Sequence, residues 1–144
     1  MDNSTIPDFF LNDIIKRALD EDLGGVGDIT SRAVIPNGTK YKAKINSRST
    51  GVISGMQIAQ MAFLMIDRKL EINTLIKDGS RVSPKDTCMT IEGDAKSILM
   101  AERVALNFAG RFSAISTMTS NFVSETEGPK AKITCTRKTT PGLR

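Results

Sequence analysis

The chain has 144 residues, 40% hydrophobic and 25% charged, with a formal charge of +4, two cysteines and no histidine. That composition excludes a disordered tract, a collagen-like repeat and a disulfide scaffold, and without histidine these residues hold no Ser-His-Asp triad, Cys-His dyad or histidine-ligated zinc. The length suits one ordinary domain but is short for a complete α/β barrel, which needs about 250 residues.

Between Asp8 and Leu23 two i,i+4 rows (Phe10, Ile14, Ala18 and Leu11, Ile15, Leu19) form one apolar stripe, which predicts an amphipathic helix. Pro7 and Asp8 suit its start and the Gly24-Gly25 pair its end, where positive φ costs glycine little. The following segment, GGVGDITSRAVIPNG, reads as turn-rich. In KYKAKINSRS, Tyr41, Ala43 and Ile45 alternate with Lys40, Lys42 and Lys44, the period of a half-buried strand.

Gly51 to Gly55 reads as a short strand or turn, and residues 56–69 as a second helix with Met61, Leu64, Met65 and Arg68 at helical spacing. Gap-filling core explains the methionines Met56, Met61 and Met65 better than an adaptable binding face. Two or three short strands follow, punctuated by Asp78-Gly79, Ser83-Pro84 and Gly93. From Ala95 to about Glu125 helical periodicity returns in Ile98, Ala101, Ala105, Phe108, Phe112, Ile115, Met118 and Phe122, with Gly110 expected to divide or kink the helix. A turn at Gly128-Pro129-Lys130 then leads to AKITCT, residues 131–136, which alternates like a strand. The pattern leaves two placements open for it: the first strand of a βα repeat, or a last antiparallel edge strand.

Charge is uneven along the chain. Residues 1–30 hold seven acids and two bases, and Lys130, Lys132, Arg137, Lys138 and Arg144 crowd the other end with no acid among them. That run could meet an anion or be a solvated basic tail; nucleic acid is disfavoured because no aromatic residue interleaves with the basic ones. Cys88 and Cys135 lie 47 positions apart, too far for a metal or redox pair, and read as buried or half-buried free thiols of a reducing compartment. No signal peptide or membrane span is legible, so a cytoplasmic location is expected.

Two clusters carry candidate chemistry. AERVALN, residues 101–107, places Arg103 on a helix, and periodicity alone favours a surface salt bridge over a ligand contact there. TRKTTPGLR, residues 136–144, sets Arg137 and Lys138 among threonines at the end of the expected strand, where α/β proteins place ligand sites. Arginine offers a planar fork and lysine a mobile point charge, both suited to carboxylate or phosphate.

These two motifs, together with EDLGGVGDITS (21–31) and the DG-x-V segment (78–82), resemble the quinolinate phosphoribosyltransferase family, also called nicotinate-nucleotide pyrophosphorylase (carboxylating). The resemblance implies an α+β fold: an N-terminal α/β sandwich domain, expected over residues 1–110, followed over 111–144 by the linking helix and first strand of an incomplete α/β barrel. It further implies a pentosyltransferase of NAD biosynthesis that joins quinolinate to phosphoribosyl pyrophosphate, releases pyrophosphate and carbon dioxide, and yields nicotinate mononucleotide, with Mg²⁺ accompanying the donor. By position, Arg103 resembles the arginine that reaches into a partner subunit's site to bind quinolinate carboxylates. Thr136, Arg137 and Lys138 resemble the substrate-binding strand end, with Arg137 on a carboxylate and Lys138, the candidate catalytic residue, on the phosphoribosyl donor. A homodimer or an assembly of dimers follows from the same resemblance. The family's histidine-bearing motif and acidic metal-binding residues fall beyond the position of Arg144, so the stretch alone is expected to be inactive. The competing reading is a freestanding dimerisation or anion-binding module, or a related phosphoribosyltransferase with another substrate.

Overall fold

The computed structural model describes residues 6–126 and 131–141. Its elements are, in chain order, α1 (Asp8–Leu23), α2 (Ile29–Val34), β1 (Lys40–Asn46), β2 (Gly51–Val52), α3 (Met56–Ile66), β3 (Glu71–Thr74), β4 (Arg81–Val82), β5 (Thr87–Asp94) and α4 (Ala95–Glu125). Three strands form an antiparallel sheet in the order β1-β5-β3, and β2 pairs with β4 in a separate two-stranded ribbon.

Register explains how the sheet covers a core. Ala43 lies opposite Ile91 and Ile45 opposite Met89, while Ile72 flanks Ile91 from the other side, so one face is apolar and meets the helices. Met89 and Ile91 are fully buried with Phe63, Ala59 and Ala62 of α3, Ala101, Val104 and Ala105 of α4, and Leu11, Ile15 and Leu19 of α1. The opposite face pairs Lys42 with Glu92, whose ion pair spans 2.8 Å in solvent. Alternation with period two in β1 and β5 therefore separates the layers. This helix-covered antiparallel sheet is the expected α+β sandwich.

Helix α1 and its glycine stop agree with the sequence reading: Gly24 has φ 52° and its N–H donates to the Asp20 carbonyl at 2.9 Å. Four readings need correction. Residues 29–34 form a short helix within the segment read as turns, because Asp28 caps it by accepting from the Ser31 N–H at 2.9 Å. In α3 the buried side is Ile58, Ala59, Ala62 and Phe63; the helix ends at Ile66, so Arg68 lies outside it and Met65 is exposed. Helix α4 runs as one helix through Gly110, whose missing side chain would point into open space. Residues 131–136 form no strand, since no partner among the described residues offers them a ladder. The turn expected at residues 128–130 lies outside the described residues.

At 31 residues α4 outruns the sandwich beneath it. Its first half is buried, yet Ile115, Met118 and Phe122, all expected in the core stripe, are 55%, 63% and 58% exposed. Polar contacts rather than apolar ones hold its middle: Ser113 Oγ accepts from the Ser54 N–H and Thr117 Oγ1 from the Val52 N–H, both at 2.9 Å.

Asp94 caps α4, accepting from the Ser97 N–H at 2.9 Å and its hydroxyl at 3.1 Å. These bonds, the backbone one first, hold its carboxyl below the usual carboxylate value of 3.8. A carboxyl with a depressed folded-state pKa contributes stability that is present above its unfolded value and lost as pH falls through the folded one. Asp94→Ala is expected to cost about 1 kcal/mol near neutrality. In urea unfolding, the gap to the parent protein should close between about pH 5 and about pH 2; a gap that persisted into acid would contradict the cap.

Candidate functional site

Arg103 projects from the first third of α4 beside the carboxyl end of α1, and its Nη1 donates to Asp22 Oδ1 at 2.6 Å. Asp22 is mostly covered, with 17% of its side chain exposed, whereas Arg103 is 73% exposed. The sequence reading that favoured a surface ion pair thus describes the contact, but the pairing is lopsided: a held carboxylate grips an arginine that still faces outward. One N–H of five is engaged, leaving the rest of the guanidinium fork for another anion.

Asp28 approaches from the α2 side. Its carboxyl lies below the ordinary value because of its hydrogen bonds from Ser31, and the Arg103 charge adds a smaller effect in the same direction. Asp22 and Asp28, both from EDLGGVGDITS, line one concavity with Arg103. In isolation a surface ion pair of this kind contributes only about 0 to 1 kcal/mol to stability, so orientation is its larger consequence.

Along α4, Asn107 and Arg111 follow Arg103 at i+4 and i+8, and the three line an open concavity of about 410 Å³ with Glu21 and Asp22. Arg111 also lines a second concavity, of about 440 Å³, with Phe112, Ile115, Lys138, Thr139 and Thr140. The two motifs are brought to one flank of the molecule with Arg111 between them. No hydrogen bond or ion pair joins Arg103 directly to Thr136, Arg137 or Lys138 among the described residues.

Thr136, Arg137 and Lys138 are exposed and lie in an irregular segment with no strand pairing among the described residues, rather than at a strand end. Arg137 has φ 59°, a left-handed backbone that costs a side-chain-bearing residue about 1 to 2 kcal/mol. Sequence reasoning missed Asp22 and Arg111. The i, i+4, i+8 spacing of Arg103, Asn107 and Arg111 could have found the latter, while nothing in the sequence pairs Asp22 with a residue 81 positions away.

Cys135, in the same segment, is exposed, against the expectation of a covered thiol; Cys88 is fully buried, and burial pushes its thiol above the ordinary value. Titration of the native 144-residue chain with an aromatic disulfide reagent should therefore modify Cys135 rapidly and Cys88 only after unfolding. Rapid modification of both would overturn the placement of Cys88.

Among the described residues no group of three or more Cys, Asp or Glu side chains converges to hold a metal ion. No helix among them is long and apolar enough to cross a membrane.

Comparison with known proteins gives a consistent result. A family model described as "Quinolinate phosphoribosyl transferase, N-terminal domain" matches residues 28–113. The tobacco protein named quinolinate phosphoribosyltransferase [decarboxylating] 2b, mitochondrial, is 37% identical over 96% of this chain and 39% of its own length. Nicotinate-nucleotide pyrophosphorylase [carboxylating] of Mycobacterium leprae is 38% identical over 92% of this chain and 47% of its own. The solved structure of NadC from Streptococcus pyogenes superposes with a TM-score of 0.90 at 32% identity, covering 96% of this chain and 50% of that one. This chain thus spans half the length, or less, of each of these three relatives.

Proposed function

From the premise that this chain belongs to the quinolinate phosphoribosyl transferase family, we propose that it supplies the N-terminal domain and part of the active site of an enzyme that converts quinolinate and phosphoribosyl pyrophosphate to nicotinate mononucleotide, pyrophosphate and carbon dioxide. The observation that carries this reading is the outward-facing Arg103 held by Asp22, on the same flank of α4 as Lys138.

Quinolinate is a dianion and the phosphoribosyl donor a polyanion. A site of arginine and lysine attracts both and orients them, so much of the barrier reduction comes from holding two reactants in line. Arg103 offers the planar fork that matches a carboxylate, with Asp22 fixing its direction. Arg137 takes a second carboxylate. Lys138 meets the phosphates of the donor and stabilises the negative charge that builds on pyrophosphate as the bond to the ribose anomeric carbon breaks. In this reading the pyridine nitrogen attacks the ribose anomeric carbon directly as pyrophosphate leaves. Mg²⁺, where bound with the donor, would share the same charge stabilisation.

Although Asp22 of its own chain holds one N–H, 73% of the Arg103 side chain is exposed, a placement suited to a site completed by a partner subunit. A homodimer or an assembly of dimers working in the cytoplasm is part of this reading. The deciding experiment is an assay for nicotinate mononucleotide with the full-length protein. Product from quinolinate supports the proposal; turnover of a different pyridine carboxylate alone would move the protein to another phosphoribosyltransferase activity.

A further inference from the structure

Two independent observations bear on the segment that follows residue 136. Arg111 Nη2 donates to Thr140 Oγ1 across the gap between α4 and that segment. Three residues before Thr140, the backbone of Arg137 lies in the left-handed region at φ 59°, so the direction of its side chain is set by a local turn. Lys138, Thr139 and Thr140 share a shallow concavity with Arg111, Phe112 and Ile115 of α4.

We propose that Arg111 is a positioning residue: by holding Thr140 it pins the Thr136–Thr140 segment to α4 and sets the direction in which Arg137 and Lys138 present their charges to the anionic substrates. This rests on the function proposed above. Arg111 is suited to the task because α4 is anchored in the core by Ala101, Val104, Ala105 and Phe108 on its other side, so its Cα is fixed while its guanidinium reaches outward. A lysine at the same position could donate to the hydroxyl but lacks the planar fork. Through α4 the tether also links both halves of the proposed site, since Arg103 lies two turns earlier on the same helix.

The test uses the full-length protein with Arg111→Ala, Thr140→Val, Thr140→Ser and the Arg111→Ala/Thr140→Val double variant. Steady-state kinetics and calorimetric binding of pyrophosphate are read on each. Arg111→Ala and Thr140→Val should each raise KM for the phosphoribosyl donor about tenfold while kcat stays within about twofold. The double variant should be no worse than the poorer single one, since both break the same contact. Thr140→Ser, which keeps the hydroxyl, should recover most of the affinity lost in Thr140→Val, and all variants should keep the parent Tm. A parent-like KM in Thr140→Val, or multiplicative losses in the double variant, would overturn the tether. If the parent protein makes no nicotinate mononucleotide but pyrophosphate binding still weakens in both single variants, the reaction assignment fails and the tether stands.

Discussion

Asp78→Ala is expected to destabilise the sandwich by about 3 kcal/mol, because it leaves two buried N–H groups without an acceptor. Asp78 lies in the turn between β3 and β4, yet its carboxylate accepts from the Gly55 N–H at 3.1 Å and the Met56 N–H at 2.9 Å. These are the first donors of α3, and both residues are buried. Gly55 cannot cap the helix itself. It has φ 93°, and a Cβ there would come within 3.2 Å of Ala109 Cα and the Phe112 ring on α4. Close approach of α4 thus forces a glycine where a capping side chain would ordinarily stand, and Asp78 provides the cap from 22 residues away. Asp78→Asn keeps one acceptor and should lose about half as much. Thermal unfolding should place the alanine variant roughly 10 °C below the parent; a drop of only a degree or two would mean that water satisfies these donors.

Arg103→Ala and Arg137→Ala, made separately in the full-length protein, are expected each to lower kcat/KM for quinolinate about 10- to 150-fold, the equivalent of one charge-assisted hydrogen-bonded pair. Loss confined to one of them would restrict the carboxylate site to that residue. Mixing the two impaired variants under conditions that exchange subunits separates the cross-subunit reading from its alternative. If Arg103 serves the partner's site, a hybrid dimer holds one site with both arginines intact, and random exchange should restore about a quarter of parent activity. With Arg103 acting on its own subunit's site, every hybrid site lacks one arginine and nothing returns.

Much of the sandwich is legible in residue spacing. The two i,i+4 rows of α1, the lysine alternation of β1 and the Gly24 stop are local signals; burial follows them at Leu11, Ile15 and Leu19 and partly at Ala43 and Ile45, while Phe10 and Tyr41, in phase with these, are each 59% exposed. The short α2 was legible too, through Asp28 and Ser31, and was lost under the glycines around it. Periodicity failed in α3 and in the second half of α4 for one reason: it marks which residues share a helix face, not whether anything covers that face. Met65 and Phe122 are apolar and in phase, and both are exposed.

For the site, the sequence alone identified the family and the candidate cations Arg103, Arg137 and Lys138, because side-chain chemistry and motif spacing are properties of the chain. Only the tertiary structure decided what directs them. Asp22 meets Arg103 across 81 positions, Thr140 meets Arg111 across 29, and Asp78 caps a helix that precedes it. The Asp22 contact depends on α4 packing against α1, and the Asp78 cap on the close approach of α4 to Gly55, both set by the shared apolar core rather than by any local pattern. The same holds for residues 131–136: their alternation is that of a strand, but a strand exists only where a neighbour completes its hydrogen bonds, and among the described residues none does.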